Sequence, residues 1–521
     1  MWNRGWRDTV WSNLGEKWDV VIVGGGITGA GILAEATRLG MRALLVEARD
    51  FASGTSSRST KLVHGGLRYL RNGQVRLTRE SVREREHLMR EAPGLVTPLG
   101  FFLTSFEGDK MPKWMFGAGL AIYDVLASKW AHKSMSREEI IEACKPCKGA
   151  SMRGGYHYYD AQTDDSRLTL RVLREACARG GVAINYARVE TPLRDGAGKV
   201  HGVALRDVAT GRTAEVKARA VVNATGVWAD DLREKIGETR KLRAIRGSHL
   251  VFSHDRVPIP EALSLLHPRD ERAVFAVPWE GVTLIGTTDV DHGRDLETEP
   301  SMSQDEATYI MEAAARAFPT LDLTLGDVRS SYAGVRSVID TGARDPSKES
   351  REHALWLEHG MLTVTGGKLT TFRLMARDAL EALGDLLPRR PDADRILDDV
   401  DATLEGVDGL AEATRARLVG RHGAEAAKVL AAGPDALTPI GDGIATWGEL
   451  RWAARAEGVV HLEDLLLRRV RLGLLLGEGT LTVMDRIRAV AQPELGWDDA
   501  TWAREEAAYR TTWSKAYAPP R

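Results

Sequence analysis

Asp19 to Glu47 reads as a strand, a glycine-rich turn, a helix and a second strand, and that order leaves few folds open. Asp19-Val20-Val21-Ile22-Val23 is a short apolar, β-branched run, broken at once by Gly24-Gly25-Gly26-Ile27-Thr28-Gly29. Ala30 to Leu39 follows as a helix closed by Gly40, and Arg42 to Val46 is a second buried strand that ends in the acid Glu47. Glycines at 24, 26 and 29 follow a strand, open a helix and precede an acid roughly 20 residues on, which is the dinucleotide-binding pattern. Gly24 permits the tight turn, Gly26 lets a pyrophosphate approach the backbone, and Gly29 permits close packing of helix on strand. The helix amides face the negative charge, and Glu47 accepts from ribose hydroxyls. An acid at that position disfavours a 2′-phosphate and so argues against NADP. FAD and NAD are not separated by the turn alone.

With 521 residues the chain is too long for one ordinary core. Lysine plus arginine (71) balances aspartate plus glutamate (73), so nothing global points to nucleic acid and any anion site must be local. Three cysteines argue against a disulfide framework and suit a reducing cytosol. Cys144-Lys145-Pro146-Cys147 lacks the second cysteine pair or the histidine spacing of a zinc site, and no metal is expected. No apolar run reaches 18 residues and the N-terminus lacks a basic region followed by an apolar one, so neither a spanning helix nor a signal peptide is expected. The protein is expected in the cytoplasm or on the surface of a membrane.

Trp2, Trp6, Val10, Leu14 and Trp18 fall at four-residue spacing and would form one apolar helix face among Arg4, Arg7 and Lys17. Tryptophan with arginine suits a membrane interface, whereas packing on its own protein or on a second subunit, as in a homodimer, is the simpler reading. Gln74 to Glu91 reads as an exposed, charge-rich helix. Trp114 to Ala127 is an apolar run too short to span a bilayer, hence a packed helix or a membrane-dipping element. Val221 to Gly226 is another buried strand ending in a glycine turn, Ala273 to Gly286 a hairpin, and Met361 to Thr365 a strand before Gly366-Gly367. Pro388 to Pro391 reads as a linker, with helices beyond it.

Between Ser53 and Leu70 small polar and basic residues crowd together, a composition suited to a ligand wall and not to a core. Gly24 to Gly31, followed by Ser59-Thr60-Lys61-Leu62-Val63-His64-Gly65-Gly66-Leu67-Arg68-Tyr69-Leu70, resembles the FAD-dependent glycerol-3-phosphate dehydrogenases. Asn223-Ala224-Thr225-Gly226, Arg246-Gly247-Ser248-His249, Ile285 to Asp289, Gly334-Val335-Arg336 and Gly366 to Arg373 match in the same order. The resemblance implies α/β and α+β architecture: an FAD-binding Rossmann-like domain of the glutathione-reductase and D-amino-acid-oxidase kind, a mainly antiparallel substrate cap and a C-terminal helical domain. These are expected over 17–95, 150–240 and 355–387, over 96–149 and 241–354, and over 388–521, respectively.

It further implies noncovalent FAD held by Gly24, Gly26, Gly29, Glu47, Ser57, Lys61, His64, Gly65, Gly66, Thr225, Gly226, Gly367, Lys368, Leu369 and Thr370. Arg68 and Arg351 would clamp the phosphate of glycerol 3-phosphate with Tyr69 nearby, an arginine fork being suited to two oxygens at once. His249, Arg336 and Lys368 would line the carbinol end. His249 is the first choice of base; alternatively a lysine or arginine stabilises the developing alkoxide and water takes the proton. Electrons would pass to a membrane quinone, with an oxidase that uses oxygen as the alternative. A noncatalytic or RNA-modifying FAD protein lacks the basic face it would need.

Overall fold

The first strand, Trp18–Val23, lies at the centre of an eight-stranded sheet in the computed structural model, which describes residues 2–67, 74–127, 131–293, 295–342, 352–384, 395, 397–398 and 409–520. Its flanks are Ala43–Val46 on one side and Thr213–Asn223 on the other, both parallel to it. Val182–Ile184 and Met361–Gly366 extend the parallel part, and His353–Glu358 closes one edge antiparallel. A parallel sheet buries both faces, which is why these strands are continuous Val, Ile and Leu runs; Val20, Val21, Ile22, Leu44 and Leu45 are wholly buried. Helices Ile27–Arg38, Asp165–Ala178 and Phe372–Leu383 supply the apolar layer. The register pairs Val23 with both Val46 and Asn223. Gly24, Glu47 and Ala224 therefore emerge together at the carboxyl edge, where open α/β sheets bind ligands.

A ten-stranded, mainly antiparallel sheet forms the second layer. Its long strands Leu242–Ser253 and Val328–Ile339 pair in antiparallel register, with His249 opposite Tyr332 and Gly247 opposite Gly334. The sheet reaches back across the expected domain boundaries: Leu62–Val63 and Met152–Thr163, both in segments assigned to the dinucleotide domain, are strands of it. C-terminal helices cover its other face, so that Leu284 and Tyr332 share one core with Trp447, Leu466, Trp502 and Tyr509.

The N-terminal tryptophans pack on their own chain, the simpler of the two readings, but the single helix face expected from Trp2 to Trp18 does not form: the helix covers only Trp6–Ser12, Trp2 stacks on Phe51 at 4.8 Å, and Trp2, Trp11 and Trp18 are buried. The Val75–Glu91 helix is not simply exposed, since it buries Leu77, Val82 and Leu88 together with Glu84 and Arg85. Those two charges meet partners far along the chain, Arg373 at 2.7 Å and Asp160 at 2.7 Å, which local composition cannot reveal. Among the C-terminal helices, the segment from Leu462 to Leu476 is broken into Asp464–Arg469 and Leu472–Leu475. The expected linker at Pro388 to Pro391 lies outside the described residues. Cys144 and Cys147 are buried free thiols, and the described residues contain no group of metal-ligating side chains.

Candidate active site

The glycine turn is shaped by contacts that exclude side chains. Gly24 has φ +114°, and a Cβ there would sit 2.5 Å from the Ala224 carbonyl oxygen; one on Gly29 would sit 2.0 Å from the Gly24 carbonyl oxygen. Any larger residue must therefore force helix from strand. Gly26 caps the Ile27–Arg38 helix, and the Ser56 hydroxyl accepts from the Ile27 N–H at 2.9 Å. Glu47 receives N–H groups from Gly25 (2.6 Å) and Arg49 (2.8 Å). Burial raises its pKa despite those two bonds.

A cavity of about 620 Å³ joins this turn to the second sheet. Gly24, Gly26, Glu47, His64, Thr225, Gly226, Gly367, Lys368, Leu369 and Thr370 line it, as do His249 and Arg336. Thr225 is fixed through its hydroxyl to Asn223 Oδ1 at 2.7 Å, and Thr370 accepts the His64 N–H at 3.2 Å. Lys368 donates from Nζ to Ser81 Oγ at 2.6 Å.

Five expected cofactor residues build the wall without lining the cavity. Gly29 does so through the contact above, and the Ser57 hydroxyl turns to Gly54 O. Gly65 is tied through its N–H to Tyr123 Oη and Asp160, beside Gly66 at φ +79°. Lys61 is the clearest departure. It is wholly buried, with Nζ donating to Ser57 O at 2.6 Å and to both Asp165 oxygens at 2.9 Å, so it supports the wall from behind. Burial, reinforced by Arg471, pulls its pKa down to about 7 against the pull of Asp165. Arg68, Tyr69 and Arg351 lie outside the described residues.

At the far end His249 is 2% exposed, with its ring stacked on Tyr332 at 4.7 Å and 9°. Its Nε2 lies 3.0 Å from Thr60 Oγ1. Burial holds the imidazole pKa well below its usual range, and the charges of Lys61 and Arg336 add to that, so the ring is neutral at pH 7. Arg336, two pleats along from Tyr332, forms an ion pair with Asp289. Sequence reasoning had singled out neither Thr60, Tyr332 and Asp289 here nor Arg49 and Trp228 at the Glu47 end, where the guanidinium lies 5.3 Å from the indole centroid. Thr60 and Asp289 carry a signal in the sequence, the first by its place in the polar wall and the second as the end of the Ile285 to Asp289 motif.

A glycine cradle at the carboxyl edge, an acid beside it and a buried neutral imidazole at the other end of one cavity define a dinucleotide-dependent oxidoreductase. Residues 19–373 match the FAD dependent oxidoreductase family, and residues 366–502 match the C-terminal domain of alpha-glycerophosphate oxidase. The aerobic glycerol-3-phosphate dehydrogenase of Staphylococcus haemolyticus is 38% identical over 388 residues, 73% of this chain and 70% of that protein. That of Staphylococcus aureus strain USA300 is 37% identical over 390 residues, 74% and 70% of the two chains. The glycerol-3-phosphate dehydrogenase of Bacillus halodurans, solved with FAD, superposes with a TM-score of 0.79 at 30% identity over 99% of this chain and 98% of that one. The L-alpha-glycerophosphate oxidase of Mycoplasma pneumoniae shares the fold, with a TM-score of 0.57 at 16% identity over 72% of this chain and 97% of that one. The chain belongs to the FAD-dependent oxidoreductases, in the branch of the aerobic glycerol-3-phosphate dehydrogenases. FAD is its cofactor, and the residues fit that group: Gly24 and Gly26 bring bare backbone to the cavity, and Glu47 lines it beside them.

Proposed function

We propose that this protein oxidises sn-glycerol 3-phosphate to dihydroxyacetone phosphate and passes the electrons to a membrane quinone. The observation that carries the reading is one continuous cavity joining the glycine cradle to His249 and Arg336, in a chain alike along nearly its whole length to the glycerol-3-phosphate dehydrogenase from Bacillus halodurans. FAD supplies the acceptor for the hydride leaving C2. The chain's own groups bind and orient the substrate. Gly24, Gly26 and Glu47 hold the adenosine and pyrophosphate half, and Gly367 to Thr370 approach the other half. Arg68 and Arg351, with Tyr69, take the phosphate on the strength of the family resemblance. At the carbinol end Arg336 and Lys368 offer fixed positive charge to the oxygen as its proton departs. Under anaerobic conditions glycerol 3-phosphate should bleach the flavin absorbance of the purified protein within seconds. Glycerol, which lacks the phosphate, should bleach it far more slowly. Equal rates with the two would remove the phosphate site, and no bleaching with either would remove the activity.

The match of residues 366–502 to a domain named for an oxidase favours a second reading, in which oxygen takes the electrons. Stoichiometric hydrogen peroxide during turnover would select it over the quinone.

Access to a quinone requires contact with a bilayer. No helix among the described residues is long and apolar enough to cross one. The Lys113–Ala127 helix instead leaves Trp114 (68%), Met115 (44%), Ile122 (50%) and Val125 (69%) exposed along one side, which suits peripheral binding. Replacing Trp114 and Val125 by glutamine should lower vesicle partitioning at least about tenfold, given about 1.5–3 kcal/mol for each such side chain buried. Unchanged flotation of that variant would exclude this helix as the contact.

A further inference from the structure

His249 meets the cavity through one polar partner, and the other ring nitrogen decides what that partner does. Nδ1 is buried and has no hydrogen-bond partner. Of the two neutral tautomers, Nδ1–H would leave a donor buried without an acceptor, which native structures rarely tolerate. The Nε2–H tautomer leaves only a bare lone pair inside and donates to Thr60 Oγ1 at 3.0 Å. Double protonation is opposed by burial and by the facing charges of Lys61 and Arg336. The stack on Tyr332 fixes the plane of the ring, and the contact with Thr60 fixes which nitrogen faces the cavity wall.

With its oxygen accepting from His249, the Thr60 hydroxyl must place its own proton elsewhere, and Thr60 is one of the residues that line the cavity. The turn that carries it is held on several sides. Tyr332 Oη donates to Ser59 O at 2.9 Å, the Ser59 N–H and hydroxyl both donate to Asp165 (2.9 and 2.7 Å), and the Lys61 N–H donates to Ser59 Oγ at 3.0 Å. Lys61 in turn is clamped to Asp165. The same tyrosine thus fixes the histidine ring by stacking and the threonine's neighbour by hydrogen bonding.

We propose that Thr60 is a substrate-facing hydrogen-bond donor to the reacting oxygen, and that His249 is the positioning residue that aims it and not the base. This deepens the proposed function and rests on it. As the C2 hydroxyl gives up its proton to water and C2 gives up its hydride to the cofactor, the oxygen gains negative charge before the C2–O bond becomes a carbonyl. A donor fixed beside it strengthens over that interval.

The test measures the anaerobic rate of flavin bleaching by saturating glycerol 3-phosphate in the FAD-loaded enzyme. Thr60→Val keeps the shape and removes the hydroxyl; it should slow bleaching about 10- to 150-fold, the loss of one hydrogen bond to a developing charge, with FAD content unchanged. Thr60→Ser should restore most of the rate. His249→Gln, whose amide can donate from the same place, should retain far more activity than His249→Leu. A Thr60→Val enzyme as fast as wild type, or a His249→Gln as slow as His249→Leu, would overturn the proposal.

A second readout needs no turnover and no change at Thr60. In the ¹⁵N spectrum of histidine-labelled holoenzyme, the signals lost in His249→Gln should be those of a protonated Nε2 and a bare Nδ1. The reverse assignment would make Thr60 the donor to His249 and sink the idea. If wild-type flavin is not bleached by glycerol 3-phosphate, the proposed function fails, while the spectrum still decides the tautomer.

Discussion

Replacing Asp50 with alanine should destabilise the protein by about 3–5 kcal/mol, because it strands charge in a dry junction between the cofactor-binding sheet and the C-terminal helices. Asp50 follows the Glu47 loop and is wholly buried. It accepts two bonds from Arg469, at 2.6 and 2.7 Å, and one from Arg468 at 2.6 Å. Asn185 adds an amide at 3.1 Å. Without the carboxylate, Arg468 retains Asp464 at 2.6 Å, but among its described hydrogen bonds Arg469 keeps only the Glu457 carbonyl at 3.0 Å. A buried guanidinium with one neutral acceptor is the expensive product of this change, more than the lost bonds themselves.

The control follows from that reasoning. Asp50→Ala with Arg469→Met removes both charges and should recover part of the loss, measured as the urea midpoint of the holoenzyme. A single variant within about 0.5 kcal/mol of wild type would mean that the junction is wet and the pair inconsequential. The same group sets an acid limit. Burial alone would raise the Asp50 pKa, but Arg469 and Arg468 outweigh it and hold it at about 2. A folded-state value below the unfolded one means that the contribution is complete above the ordinary aspartate range. It is lost as pH falls toward about 2, so the midpoint of Asp50→Ala should depend less on pH over that interval.

This junction was invisible in the sequence, and the reason is physical. Asp50 and Arg469 are 419 positions apart, and each alone reads as an ordinary surface charge. The dinucleotide turn was legible because all its parts are local: a strand, three glycines, a helix and an acid within one unit, each demanded by backbone sterics that no distant residue supplies. The N-terminal tryptophan spacing marks residues that will be covered by the protein itself, but not the helix it suggests, since only Trp6–Ser12 is helical and Trp18 opens a strand. Nor does an apolar stripe state which residue covers it; for Trp2 it is Phe51. At the carbinol end, His249 and Arg336 were singled out through ordered motifs. The hydrogen bond between His249 and Thr60 and the stack on Tyr332 depend on how a distant loop and a second strand meet this one, which motif order does not fix.

Replacing Arg336 with methionine should slow flavin reduction by glycerol 3-phosphate roughly 100- to 1,000-fold, the usual effect of removing a preorganised group from a developing oxyanion. Strand alternation aims Arg336 at the cavity from the same side of its strand as Tyr332 and Gly334. A Cβ at Gly334 would sit 2.6 Å from the Arg58 carbonyl oxygen, so this strand lies close against the polar wall. The guanidinium is held in turn by Asp289, which is 7% exposed and also lies 3.7 Å from Arg272. That ion pair fixes the guanidinium in place where Arg336 lines the cavity. Lysine at 336 should recover only part of the rate, since a single ammonium cannot bond Asp289 and the substrate oxygen in one plane. Asp289→Asn should fall between wild type and Arg336→Met, because it loosens the guanidinium without removing its charge. The decisive comparison is the anaerobic bleaching rate against FAD content in each variant. If Arg336→Met loses less than about tenfold, or loses FAD in step with rate, the guanidinium serves cofactor retention or the wall, and negative charge on the oxygen must be met elsewhere, with Thr60 and Lys368 the remaining donors at that end.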